Sequence, residues 1–186
     1  MVNIDGLTQI ANRRYFDTYL KQEWQRLARG KDYLSLIFLD IDYFKSYNDY
    51  HGHLAGDDFL KKFAQILNQC AGRPTDLAAR YGGDEFVVIL PNTNEQGAMH
   101  VAKQIQENVS KLQIGYAKPK INPYFTCSIG IVSMIPHNEF PLAEFIAIAD
   151  QALYIAKEKG RNQIILSAIS SCVKNVICRN YSLPSC

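Results

Sequence analysis

The chain has 186 residues, 47% of them hydrophobic and 20% charged, which suits one globular domain with a full core. Twenty basic against eighteen acidic residues leave a net charge of +2, so no broad positive field argues for nucleic acid or an anionic membrane as partner. No apolar stretch approaches the roughly 20 residues of a membrane helix and no signal peptide opens the chain, so the expected location is cytoplasmic.

Tyr15, Phe16, Tyr19, Leu20, Trp24 and Leu27 recur at helical spacing between Asn12 and Arg29, predicting an amphipathic helix that ends near Gly30. A strand follows from about Tyr33 to Ile41, then a short turn. A helix from about Asp57 to Cys70 turns Phe59, Leu60, Phe63, Ile66 and Leu67 inward. Leu77 to Tyr81 and Phe86 to Leu90 read as the two strands of a β-hairpin, stopped by Pro91, with Gly82 and Gly83 free to take positive φ at the turn. Beyond it come a helix from about Asn94 to Leu112, a strand from Phe125 to Met134, a helix from Leu142 to Glu158 opened by Pro141, and a last strand from Asn162 to Leu166. Five cysteines show no paired metal-ligand spacing, and Cys70 and Cys127 sit in apolar patterns as small hydrophobes.

Acids gather at two points. Arg80-Tyr81-Gly82-Gly83-Asp84-Glu85-Phe86 sets two adjacent carboxylates at a sharp turn, and Asp40-Ile41-Asp42 ends the apolar run Leu34 to Leu39. Two such strand ends side by side would bind divalent metal. A lone acid at either point would read as a turn cap facing solvent.

The chain resembles the diguanylate cyclase family, whose GGDEF signature stands here unaltered from Gly82 to Phe86. Asp5-Gly6-Leu7-Thr8 with Asn12-Arg13-Arg14 resembles the family's opening segment, with Gln9 in place of the usual turn glycine. Asp40-Ile41-Asp42-Tyr43-Phe44-Lys45 with Asn48-Asp49, Gly52-His53 and Gly56-Asp57 resembles its first strand and guanine site. Ser128-Ile129-Gly130-Ile131 and Asp150-Gln151-Ala152-Leu153-Tyr154, followed by Lys157, Gly160, Arg161 and Asn162, resemble the last two blocks. Five ordered motifs at family spacing weigh far more than one short match. The β-α-β-β-α-β order accordingly resembles an α/β (α+β) fold, the ferredoxin-like palm of nucleotide polymerases and cyclases, with a central, mostly antiparallel sheet flanked by helices.

The resemblance implies condensation of two GTP into cyclic di-GMP with loss of pyrophosphate. It places two magnesium or manganese ions per active site on Asp40, Asp84 and the Ile41 carbonyl, since hard cations take oxygen ligands. Glu85 then stands next to the attacking hydroxyl as proton acceptor. Guanine's pairing edge offers two adjacent donors that one carboxylate accepts together, a role that falls to Asp57, with Asn48 meeting the neighbouring acceptors and His53 in the same block. Tyr43, Phe44 and Lys45 offer backbone N–H groups and one cation to the triphosphate. Lys157 and Arg161, one helical turn apart at the end of the last helix, add two more cations. Arg73-Pro74-Thr75-Asp76 fits the family's inhibitory Arg-x-x-Asp motif, where Arg73 would grip a phosphate and Asp76 a guanine of bound product. Where many relatives carry a further arginine, this chain has Gln104 and Gln106.

The expected domain is residues 1–166, with 167–186 a tail carrying Cys172, Cys178 and Cys186, either a flexible end or a packed extension. One site holds one GTP, so a homodimer is expected to be needed for catalysis, paired by an N-terminal sensory or dimerisation domain of the parent protein. A competing class is a cyclase-like module that binds GTP or cyclic di-GMP and signals without catalysis, although such relatives usually lack the signature acids. A template-dependent polymerase is disfavoured, because nothing resembles fingers, thumb or a basic nucleic-acid track.

Overall fold

In the computed structural model, residues 3–112 and 125–167 are described. Their elements run β1 (Ala11–Asn12), α1 (Arg13–Gly30), β2 (Leu34–Ile41), α2 (Phe44–His51), α3 (His53–Cys70), β3 (Leu77–Gly82), β4 (Glu85–Pro91), α4 (Glu95–Ser110), β5 (Cys127–Met134), α5 (Leu142–Glu158) and β6 (Ile164–Ser167). The sheet order is β1-β3-β4-β2-β5-β6. Its four central strands are antiparallel throughout, while β1 on β3 and β6 on β5 are parallel edges. The unit from β2 to β5 is the expected ferredoxin-like arrangement.

Strand β2 lies at the centre and is buried along almost its whole length, which is why it reads as a continuous apolar run and not as an alternation. Leu34, Leu36 and Phe38 meet Phe16, Leu20, Trp24 and Leu27 of α1 and Phe145 and Leu153 of α5 on one face. Ile37, Leu39 and Ile41 meet Phe59, Phe63 and Leu67 of α3 and Ile105 of α4 on the other. Cutting a fully buried ring such as Phe63 back to alanine costs about 3–5 kcal/mol. Helix α5 lies so close to β5 that a Cβ at Gly130 would stand 2.3 Å from the Ala149 carbonyl oxygen.

Four details differ from the sequence expectation. The short turn after β2 is α2, a two-turn helix whose buried Phe44 and Tyr47 pack on the core, and α3 already starts at His53. Only Gly83 has positive φ in the hairpin (52°); Gly82 instead closes β3, paired with Glu85. Strand β1 is a two-residue edge too short to leave a periodic signal. Arg161 lies beyond the C-cap Lys159 of α5 in left-handed backbone (φ 64°), so it and Lys157 do not share a helix face. Gln9 takes the left-handed conformation (φ 60°) that the family's glycine would favour, and its amide donates to the Gly6 carbonyl at 2.8 Å. Cys70 and Cys127 are free thiols, Cys127 fully buried.

Candidate active site

The register of β2 against β4 sets Asp40 directly opposite Glu85. At the hairpin tip, the Ile41 N–H donates to the Asp84 carbonyl at 3.4 Å, which draws Asp84 to the same end of the sheet. Three acids, from β2, the hairpin turn and β4, therefore lie at one end of the sheet. The Asp40 side chain is 14% exposed and receives Lys157 Nζ of α5 at 2.7 Å. Burial pushes its pKa up to about 6; Lys157 opposes the rise, and the charges of Asp84 and Asp42 add to it. A cation already sits against this carboxylate, and burial still outweighs it.

The hairpin is braced from behind. Arg80 donates through Nε and an Nη to the Gly83 carbonyl, at 3.0 and 2.8 Å, and through its other Nη to Asp5 at 3.2 Å. Asp5 in turn accepts from the backbone and hydroxyl of Thr8. Thus the opening segment and the GGDEF turn, some seventy-five positions apart, form one structure.

Asp42 is almost fully buried and accepts from the Thr126 hydroxyl at 2.7 Å, the Ser128 hydroxyl at 2.6 Å and the Asn162 N–H at 3.0 Å. Sequence reading assigned it no separate role, and nothing local marks it. Tyr43 follows in left-handed backbone (φ 60°) and opens α2, whose N-terminus carries no side-chain cap. The Arg161 guanidinium lies 4.7 Å from the centre of the Tyr43 ring. Phe44 is buried against Phe59, so only its backbone is placed for a ligand, while Lys45 is exposed.

Asn48 on α2 is half-buried, and its Oδ1 is enclosed without a hydrogen-bond partner. A Cβ at Gly56 would fall 1.8 Å from that oxygen, so the glycine is what allows α3 to pass under Asn48. Asp57 follows, half-buried, and His53 stands exposed one turn earlier.

Arg73 and Asp76 lie at the opposite end of the sheet, before β3. The Arg73 N–H donates to Asp76 Oδ2 at 3.2 Å, with the guanidinium 3.8 Å from the same oxygen, and Asp76 Oδ1 is buried without a partner. Burial raises the Asp76 pKa, against the Arg73 backbone bond and charge. A cavity of about 260 Å³ adjoins Arg73, lined also by Asp32, Tyr33, Asn92, Asn94 and Gly97 and by none of the acids of the other end. Gln104 is exposed, and Gln106 donates to the Cys127 carbonyl at 3.3 Å, so neither replaces an arginine.

Among the described residues no three or more His, Cys, Asp or Glu side chains are grouped so that they could hold a metal ion. The Asp40 carboxylate, touched by the Lys157 ammonium, and the Asp84 carboxylate near it are hard-oxygen donors. Such a partial set fits magnesium, which is usually held by one or two carboxylates with substrate phosphates and water completing its shell.

The sheet is thus ferredoxin-like, with acids at the end of its central strand and at its hairpin. The family model described as "Diguanylate cyclase, GGDEF domain" matches residues 2–163, and the chain belongs to that family. It is 40% identical to diguanylate cyclase A of Treponema denticola over 173 residues, covering 90% of this chain and 45% of that protein. It is 37% identical to the response regulator PleD of Caulobacter vibrioides over 163 residues, covering 87% of this chain and 35% of that one. The chain thus spans less than half the length of these curated relatives. Among solved structures, the coiled coil and GGDEF domain of DgcB from Caulobacter crescentus in complex with c-di-GMP superposes with a TM-score of 0.80 at 31% identity, covering 89% of this chain and 85% of that one. SiaD of Pseudomonas aeruginosa, a diguanylate cyclase in complex with its activator SiaC, gives 0.79 at 31% identity, covering 88% and 61%. No helix among the described residues is long and apolar enough to cross a membrane.

Proposed function

We propose that residues 1–166 form a catalytic domain that joins two GTP molecules into cyclic di-GMP, two copies meeting face to face with one GTP each. The observation that carries this reading is the pairing of Asp40 with Glu85, with Asp84 beside them, in a chain of this family. The 3′-hydroxyl oxygen of one GTP bonds to the α-phosphorus of the other, the bond from that phosphorus to the β-phosphate bridge breaks, and pyrophosphate leaves. The same exchange in the opposite sense closes the ring. Glu85, half-buried opposite Asp40, takes the hydroxyl proton. Two magnesium or manganese ions held by Asp40, Asp84 and the Ile41 carbonyl would neutralise charge on the attacking and leaving oxygens.

Asp57 accepts from the two donors of the guanine edge, and Asn48, whose Oδ1 is enclosed without a partner, completes the readout with His53 alongside. Adenine offers an acceptor where Asp57 needs a donor, which leaves a buried polar group unpaired. The open N-terminus of α2, from Tyr43 to Lys45, presents N–H groups to the phosphates, with Lys45, Lys157 and Arg161 as cations. Lys157 must exchange Asp40 for phosphate as substrate enters. Arg73 and Asp76 bind product at the far end, with the guanidinium on a phosphate and the carboxylate on a guanine. A sensory or dimerisation region joined to the domain would set how often two copies meet.

Incubation with GTP and magnesium, followed by chromatographic identification of the nucleotide, tests the reaction. Cyclic di-GMP is expected, and specific activity should rise with protein concentration as monomers pair. GTP binding with no product at any concentration would replace this reading by that of a binding module.

A further inference from the structure

Asp42 is the most completely satisfied acid at the active end, and none of the roles assigned above uses it. Two of its three donors, Thr126 and Ser128, tie β2 to β5, strands already joined by eight consecutive pairs. A staple there adds little to the sheet. The third donor is the N–H of Asn162, which no strand pairing supplies. Gly160, Arg161 and Asn162 have φ of 109°, 64° and 50° in succession. Two adjacent left-handed residues that are not glycine are disfavoured, and such a turn persists only when contacts over-determine it. One anchor is the Arg161 N–H on the Ala156 carbonyl of α5 at 3.0 Å. The other is Asp42, on the neighbouring side of Tyr43, over whose ring Arg161 lies.

We propose that Asp42 is a positioning residue for triphosphate binding: by gripping Asn162 it locks the left-handed turn after α5 and so aims Arg161 at the phosphates over the N-terminus of α2. The inference rests on the reading of Arg161 as a phosphate-binding cation. Asp42 touches no substrate atom; it acts through the turn. Asparagine at this position keeps an acceptor for the Asn162 N–H, and its amide can donate to a Ser128 hydroxyl turned to accept; alanine keeps neither.

The test compares binding of 3′-deoxy-GTP, which cannot react, with binding of GMP, by calorimetry in the presence of magnesium, on wild type, D42A, D42N, R161A and D42A/R161A. D42A should weaken 3′-deoxy-GTP by about tenfold while GMP stays within about twofold, and D42N should recover most of the loss. The double variant should bind no more weakly than R161A, because both changes remove one interaction. If D42A does not fold, T126V lets Oδ2 swing off Asn162 and should lower the triphosphate preference by about threefold. A folded D42A, or T126V in its place, with an unchanged preference would make Asp42 a sheet staple and overturn the proposal. An unchanged preference in R161A as well would place the failure in the phosphate reading of Arg161.

Discussion

The two ends of the sheet each hold a buried carboxylate with a basic partner, and they are built in different ways. At the far end, Arg73 and Asp76 meet within one turn of four residues, loosely, at 3.8 Å. At the active end, Asp40 and Lys157 meet at 2.7 Å from distant parts of the chain, flanked by Glu85 from the hairpin and by Asp42, which collects donors from three further residues. The first is a local motif that could sit on many surfaces. The second exists only when strands and helices remote in sequence have assembled, so changes there should alter chemistry, whereas changes at the far end should alter only feedback.

The largest effect is expected from Asp84→Ala. Cyclic di-GMP formation should fall by at least about a thousandfold with little change in melting temperature, because a turn acid contributes little to stability. Near-normal turnover would remove Asp84 from the metal set. Asp57→Ala should weaken GTP binding by about ten- to a hundredfold and narrow the preference for GTP over ATP. Unaltered affinity and selectivity would take the guanine away from α3.

Protonation of Asp40 gives a test without mutation. Its carboxyl is raised to about 6, so it gains a proton as pH falls through that value, and on the proposed reading that proton would compete with the metal. The magnesium concentration at half-maximal rate should therefore climb up to about tenfold per pH unit below about 6 and level off above about 7. A flat requirement from about pH 7.5 to about pH 5 would contradict the assignment.

Arg80→Ala should lower kcat about five- to tenfold with KM for GTP nearly unchanged, since the arginine holds the Gly83 carbonyl and Asp5. A loss confined to KM would place Arg80 in binding instead. The smallest effect belongs to the far end: Arg73→Ala should leave the initial rate within about twofold and abolish inhibition by added cyclic di-GMP. If the unaltered protein shows no such inhibition, Gln104 and Gln106 have left the site incomplete and Arg73-Asp76 is a surface turn.

The long elements were legible because their signals are periodic and local: the stripe Phe16, Leu20, Trp24, Leu27 for α1, and the unbroken apolar run of β2 for a strand covered on both faces. Helix α2 was missed because Lys45, Ser46, Asn48 and Asp49 dilute its apolar face to Phe44 and Tyr47, and tertiary packing on Phe59 and Phe125 supplies what propensity does not. The brace from Arg80 to Asp5 and the grip of Asp42 on Asn162 join residues 75 and 120 positions apart, where no spacing rule reaches. The tail from 168 onward, with its three cysteines, lies outside the described residues.

By itself the amino-acid order determined which residue types stand at each strand end, and hence the class of chemistry, because carboxylates at a glycine turn and at the end of an apolar run are local facts of composition and period. It equally determined the family, through motifs whose order and spacing survive without any fold. Tertiary structure alone decided which charges face one another: that Lys157 rather than Arg161 lies on Asp40, that burial keeps this acid's pKa high despite the lysine, and that Asp42 holds a turn. The reason is physical. Hydrophobic burial acts along a segment and writes a period into it, whereas electrostatic and hydrogen-bond energies depend on distances that only the packed sheet and helices define.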